Sequence, residues 1–289
     1  MFGFININKP EGITSHDVVA KLRRISKIKQ IGHTGTLDPM AQGVLPVAIG
    51  KASRLIEYLE ENKGYIAKLQ LGQVSNTYDT EGAVKEYSDK KVSNTEFADV
   101  LANFRGRIEQ IPPVYSAVHY NGKRLYELAR KGILPDDIPK RTVFINKLEL
   151  LQYNEEEQTA EIEVECSKGT YIRSLINDIG LTLGCGAVMS GLTRTKSGIF
   201  TIDTAVPLDA LVDKEDIEKH LINPIEVLSY KSYLLTEFEY QKIKHGQSID
   251  AEKTDASDYF CLVYQNELCA IAQKDESTNK LLTKKVFIS

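Results

Sequence analysis

The sequence predicts an α+β fold: a mixed, mostly antiparallel sheet flanked by helices, with a small β-rich domain at the C-terminal end. Three observations carry that prediction. Strand, helix and hairpin signals alternate without the regular βαβ rhythm of a parallel sheet. After about Leu228 the pattern changes to short strand-like pieces separated by turns. The chain has 289 residues, enough for one large or two ordinary domains with a sizeable core. The expected division is a first domain over 1–228 and a second over 229–289.

In chain order, TSHDVVAKLRRIS opens with a capping-box pattern from Thr14 to Asp17. Val18, Leu22 and Ile25 follow at helical spacing, with Val19 beside them. A glycine-rich loop comes next, IGHTGTLDPMAQGVL over 31–45. It leads through a short apolar stretch, Val44 to Ile49, into a helix with Ala52, Leu55, Ile56 and Leu59 on one face. YIAKLQL alternates Tyr65, Ala67, Leu69 and Leu71 against Ile66, Lys68 and Gln70, which predicts a strand. Glu81-Gly82 marks a turn, from which Ala83 to Tyr87 returns antiparallel. Ser93 to Glu96 has the form of another capping box, ahead of Phe97, Val100, Leu101 and Phe104. Val143, Ile145, Leu148 and Leu150 suggest a strand whose spacing slips after Ile145. AEIEVEC is a clean strand, with Ala160, Ile162, Val164 and Cys166 inward and Glu161, Glu163 and Glu165 outward. SKGT turns directly into a helix that buries Ile172, Leu175, Ile176 and Ile179 and stops at Gly184. YLLT, FCLVY, LCAIAQ and KKVFIS supply the short strands of the second domain.

The composition, 42% hydrophobic and 26% charged, is that of a soluble globular protein, and no apolar run is long enough to span a membrane. The opening MFGFININKP lacks the parts of a signal peptide, so a cytoplasmic location is expected. Cys166, Cys185, Cys261 and Cys269 form no C-x-x-C pair and, with five scattered histidines, no zinc framework. They read as buried thiols in a reducing compartment, and no metal is expected.

A net charge of −4 argues against a uniformly basic nucleic-acid binder, but the distribution matters more. Lys21, Arg23, Arg24, Lys27 and Lys29 lie between Asp17 and Asp38 with no intervening acid. From His119 to Lys147 the basic residues are Lys123, Arg124, Arg130, Lys131, Lys140, Arg141 and Lys147, against Glu127, Asp136 and Asp137. Two readings stand: solvated faces, or patches by which an acidic protein binds a polyanion.

The loop over 31–45 sets Gly32, Gly35 and Gly43 around one acid, Asp38, followed by Pro39. An Asp before Pro is ordinarily a turn residue. Here the glycines also permit close backbone approach or positive φ, and His33 and Thr34 add hydrogen-bonding groups. A phosphate cradle is a rival reading, although neither G-K-[ST] nor G-x-G-x-x-G is present.

Five segments occur in order: GFININKPEGITSHDVV, GHTGTLDPMAQGVL, KGYIAKLQLG, IPPVYSAVHYNGKRLYELARKG and CSKGTYIRSLINDIGLTLGCGA. Together they run through most of 3–200 and resemble the bacterial tRNA pseudouridine-55 synthases, the TruB family. Gln42 departs from the threonine frequent at that place. The C-terminal region resembles, more loosely, a short version of that family's RNA-binding PUA domain.

The resemblance implies a pseudouridine-synthase-like fold and an isomerisation of one uridine in the tRNA T-loop. The N1–C1′ bond breaks, the uracil turns, and C5 bonds to C1′. Nothing is hydrolysed or oxidised, so no cofactor is implied. Asp38 becomes the essential carboxylate, because breaking a glycosidic bond builds positive charge at C1′ that an adjacent carboxylate stabilises or captures. Whether it attacks C1′, adds to the uracil or takes a C2′ proton stays open. Arg173 becomes its partner, a guanidinium that keeps the carboxylate ionised; without the resemblance it is a surface residue on a helix. Tyr65 becomes a stacking platform for the uracil, with its hydroxyl a candidate for proton transfer at C5; a plain core tyrosine is the competing reading. His33 either wedges into the T-loop or hydrogen-bonds within its own loop. Lys9 is counted with the substrate-binding residues; with Pro10 it either shapes the pocket wall or has a merely structural role. An insertion over about 116–145 closes on the RNA through Lys123, Arg124, Arg130 and Lys131. The expected partner is the tRNA T-arm, bound by a monomer without guide RNA or membrane. Two alternatives remain: a non-catalytic tRNA-folding protein on the same scaffold, and a guide-RNA-dependent relative.

Overall fold

The computed structural model describes residues 1–133, 135, 137–251 and 259–288. Asp136, counted above against the basic stretch, lies outside the described residues.

The main sheet has ten strands. Along its principal path the order is Val206–Pro207, Gly3–Lys9, Ala41–Ile49, Ala187–Ser197, Lys63–Leu71, Thr159–Cys166, Arg141–Asn154 and Gly106–Gln110. Only Val206–Pro207 with Gly3–Lys9 and Ala41–Ile49 with Ala187–Ser197 run parallel along this path. The expected α+β, mostly antiparallel architecture is the one found.

The alternations place the core. Tyr65, Ala67, Leu69 and Leu71 are buried, as are Ala160, Ile162, Val164 and Cys166. They share one cluster with Phe97, Val100 and Leu101 of helix Asn94–Leu101 and with Leu175, Ile176 and Ile179 of helix Ile172–Thr182. The slip after Ile145 is a register shift: Ile145 faces Cys166 and Lys147 faces Glu165. Helix Ser15–Ser26 starts with the full capping box, Asp17 N donating to Thr14 Oγ1 and Thr14 N to the Asp17 carboxylate. The return after Glu81-Gly82 is short, with Lys85–Glu86 pairing only Gln73–Val74. All four cysteines are buried and free. Among the described residues no helix is long and apolar enough to cross a membrane.

Three elements differ from the pattern reading. The helix after Ile49 is a 3₁₀-helix, Gly50–Tyr58, because its buried residues Ala52, Leu55 and Tyr58 recur every third position, the period of that helix. Ala187–Ser197 is a central strand without a legible alternation: Ala187, Val188 and Met189 are all buried, and a register shift follows at Gly191. In the C-terminal region, helix Glu237–Lys244 stands among the expected strands. It buries only Ile243, so it shows no apolar stripe.

The second sheet runs Lys231–Leu234, Phe260–Tyr264, Glu267–Asp275, Lys280–Val286 and Ile249–Asp250. A single apolar cluster joins it to the back of the main sheet. Phe4, Val44, Ala48, Ala52 and Leu55 pack there with Val227, Leu228, Cys261, Val263, Leu268, Ile271 and Phe287. The rings of Phe2 and Phe287 stack at 5.3 Å, and Lys51 Nζ and Arg54 Nη1 donate to the carbonyls of Phe287 and Val286, each at 3.0 Å.

Candidate active site

Asp38 lies on the turn between Ile31–His33 and Ala41–Ile49, two strands that pair antiparallel. The turn is fixed by groups that sequence spacing does not connect. Lys9, wholly buried, donates from Nζ to the carbonyls of Pro10, Ile13 and Pro39 at 2.9, 2.7 and 3.3 Å. Leu37 N donates to Ser15 Oγ at 2.8 Å. Arg194, also wholly buried, donates from Nε to Val44 O at 2.6 Å, from Nη2 to Gly35 O at 3.1 Å and from Nη1 to Thr36 O at 3.4 Å. Gly43, at φ +101°, allows this approach: a Cβ there would stand 2.3 Å from the Arg194 carbonyl oxygen.

Arg173 enters from the first turn of helix Ile172–Thr182. Its Nη2 is 3.0 Å from Asp38 Oδ2, and its Nη1 is 3.3 Å from Asp79 Oδ2. The same fork donates to Thr77 O and Tyr115 O, both at 3.1 Å. The side chains of Arg173 and Asp79 are 7% and 4% exposed, whereas that of Asp38 is 36% exposed, so Asp38 is the open member of the trio. Burial pushes the Asp38 carboxyl above the usual carboxylate range and Asp79 adds to the rise; the Arg173 guanidinium is the strongest opposing influence, followed by the Lys9 ammonium.

Tyr65 sits across the sheet from Arg194 on one side and Val164 on the other. Burial raises its phenol above the usual value, and the Arg194 guanidinium opposes that rise. It is both a core residue and a cavity wall, so the two sequence readings are not exclusive. His33 is half-buried; burial and the nearby Arg194 and His16 lower its imidazole, and its Nδ1 has no hydrogen-bond partner.

Asp38, Tyr65, Arg173 and His33 line one cavity of about 1150 Å³. That exceeds the roughly 300–1,000 Å³ of ordinary small-ligand pockets and suits a segment of a larger substrate. Arg124 and Arg130, flanking the short helix Leu125–Ala129, are exposed and also line it. Lys123 and Lys131 are exposed outside the lining. Lys9 must be corrected: it is fully buried, outside the lining, and its ammonium is committed to three backbone carbonyls. It holds the Asp38 turn, the structural one of its two readings. Among the described residues no group of three His, Cys, Asp or Glu could hold a metal ion.

Sequence reasoning missed Asp79 and Arg194. Arg194 had no periodic signal, since Ala187–Ser197 buries residues of both parities. Asp79 follows Tyr78, at φ 65°, in an irregular turn that gives no periodic signal.

The arrangement is a partly open carboxylate, a buried guanidinium that opposes its protonation, and an aromatic ring in one cavity. Known proteins resemble the chain that carries it over most of its length. Residues 23–172 match the N-terminal domain of the TruB family pseudouridylate synthases, and 173–229 match the tRNA pseudouridylate synthase B C-terminal domain. A tRNA pseudouridine synthase B of Clostridium tetani is 40% identical over 289 residues, covering 98% of this chain and 99% of its own. One of Syntrophomonas wolfei is 47% identical over 243 residues, covering 80% and 81%. Among solved structures, a chain in an H/ACA RNP bound to a substrate RNA containing 2′-deoxyuridine superposes with a TM-score of 0.73 at 28% identity, over 100% of this chain and 86% of that one. A chain of a Cbf5-Nop10-Gar1 complex gives 0.73 at 29%, over 99% and 85%. On these matches, and on the fold behind them, the chain belongs to the TruB family of pseudouridylate synthases.

Proposed function

We propose that the protein converts uridine 55 in the T-loop of tRNA to pseudouridine, as a cytoplasmic monomer that needs no guide RNA. The observation that carries this reading is the pairing of Asp38 with Arg173 beside Tyr65, with Asp38 by far the more exposed of the two carboxylates on that guanidinium. A carboxylate so placed meets the charge that develops at C1′ when the N1–C1′ bond breaks. Glycosidases need a second carboxylate to activate water; here the detached uracil recaptures the sugar, and one suffices. The uridine must leave its stack to reach Asp38, and Tyr65 provides the face on which the extruded base rests. Arg124 and Arg130 on the cavity rim, with Lys123 and Lys131 beside them, meet the phosphates of the loop. The second domain, over 229–289, grips the stem away from the cavity.

The curated relatives named tRNA pseudouridine synthase B support tRNA as the substrate. Their 40–47% identity, against 28–29% for the chains from the RNP structures, favours action without a guide. The test is one incubation of purified protein with an unmodified tRNA transcript and no other RNA, followed by mapping. Pseudouridine at position 55 is expected. A transcript that is bound but unmodified would return the tRNA-folding alternative.

A further inference from the structure

The cavity has a second polar feature besides the Asp38–Arg173 pair. Lys63 opens the strand Lys63–Leu71 two residues before Tyr65, so both side chains leave the same face, about 6.8 Å apart along the strand. Each has a cross-strand partner on Ala187–Ser197: Ser197 for Lys63 and Arg194 for Tyr65. Lys63 Nζ donates to Ser197 Oγ at 2.7 Å, and among the described residues it has no ion-pair partner. An ammonium carries three donors, so two are left over. Both Lys63 and Ser197 line the cavity.

The acids nearby are already engaged or turned to solvent. Glu61 pairs with Lys168, Glu57 pairs with Lys285, and Glu60 is exposed at the rim. Burial lowers the Lys63 ammonium to about 8; Arg194 and Lys168 add to the fall, and Glu61 and Cys166 oppose it. A desolvated cation with spare donors is unfavourable alone and is relieved by an anion. Asp38 and Asp79 also line the cavity but already share Arg173, which leaves the Lys63 ammonium available to an anion of the substrate.

We propose that Lys63, seated by Ser197, binds the phosphodiester adjoining the target uridine while its uracil rests on Tyr65. The proposal rests on the function proposed above. It makes Lys63 a substrate-binding residue and Ser197 a positioning residue. One nucleotide reaches from base to phosphate over a distance of the order of the two-residue strand spacing, so a base on Tyr65 brings a phosphate to Lys63. Such a contact fixes the position of the nucleotide without reading its sequence.

The experiment measures Kd for a T-arm stem-loop carrying either normal linkages or one neutral methylphosphonate, 5′ or 3′ of the target uridine. Affinity is read without turnover, so an inactive enzyme would defeat the functional reading and leave this readout intact. Lys63→Met should weaken binding of the normal RNA by about 10- to 100-fold, the scale of one charge-assisted hydrogen bond. One of the two methylphosphonates should cost the wild type a similar factor and cost Lys63→Met almost nothing more. Ser197→Ala should show a smaller loss, confined to the same linkage. Should Lys63→Met lose its circular dichroism spectrum, Lys63→Gln decides the same coupling. Losses that simply multiply for both linkages would overturn the proposal, as would a wild type indifferent to both.

Discussion

Arg173 and Arg194 are both almost fully buried, both reach the Asp38 turn, and their partners differ in kind. Arg173 meets two carboxylates, Asp38 and Asp79. Arg194 meets three carbonyls, of Val44, Gly35 and Thr36, and among the described residues no carboxylate. The first sets the charge of the turn and the second sets its shape. The two jobs lie on different elements, a helix start and a central strand, so a change in one need not disturb the other. A guanidinium is not a catalytic signal by itself; what it faces decides.

The largest effect that sharpens this comparison is that of Asp38→Asn. It removes charge from the Arg173 side, keeps the shape, and leaves the Arg194 bonds intact. Pseudouridine formation should vanish while tRNA binding and melting temperature hold. Product at a near wild-type rate would take Asp38 out of its role.

Tyr65→Phe comes next, because the phenol lies beside the Arg194 guanidinium. Single-turnover rates should fall by about 10²–10⁴-fold, the range of a general acid–base group, with normal binding. Tyr65→Ala should lose roughly 1–3 kcal/mol of base stacking as well. Full activity in the Phe variant would leave Arg194 with shape alone.

The direct contrast is between Arg173→Met and Arg194→Met. Arg173→Met strands buried carboxylates and should cost about 3 kcal/mol of stability at neutral pH, the lower end of the range because Asp38 is partly open. Without the guanidinium, Asp38 titrates still further above its unfolded value. The stability of such a group is intact at low pH and is lost as pH rises through the folded value. The deficit should therefore shrink on acidification. Arg194→Met leaves carbonyls, which do not titrate, so its cost of roughly 1–3 kcal/mol for each unsatisfied group is the same at every pH, and only the smaller relief of His33 and Lys63 adds a pH dependence. Parallel pH profiles in urea denaturation would erase the distinction between the two arginines.

The smallest effect concerns Lys9, which shares the carbonyl-binding work of Arg194 with a charge that titrates. Burial lowers its ammonium to about 8, against an ordinary value of 10.5. Between those values the unfolded chain holds more protons, so Lys9 makes stability rise with pH. Lys9→Met should remove about 1 kcal/mol of that rise between pH 8 and 9. An unchanged slope would mean that Lys9 does not titrate in that window.

What the sequence made legible follows from which faces are buried. Tyr65 to Leu71 and Ala160 to Cys166 could be read because one face of each strand is buried and the other is not. Thr14 and Asp17 could be read because a capping box is local. Gly3–Lys9 and Ala187–Ser197 could not, since each buries residues of both parities, including the polar Asn6, Lys9 and Arg194. The meeting of Asp38 with Arg173 was legible only through resemblance, because no local period relates a loop to a distant helix start. Asp79, their third member, had neither kind of signal.

The apolar cluster that binds the second sheet to the first makes the protein a caliper with fixed jaws. Phe4, Val44 and Ala48 of the main sheet share one buried cluster with Ile271 of the other and with Phe287 just after it, so neither jaw swings without opening a core. Under the proposed function, with the stem at one jaw and the uridine at the other, the span between them would be set when the chain folds and not when RNA arrives, and a stem of the wrong length would be rejected by distance before any base is read. Removing the residues after Leu228 would not free the catalytic jaw; it would strip the surface on which that jaw is mounted.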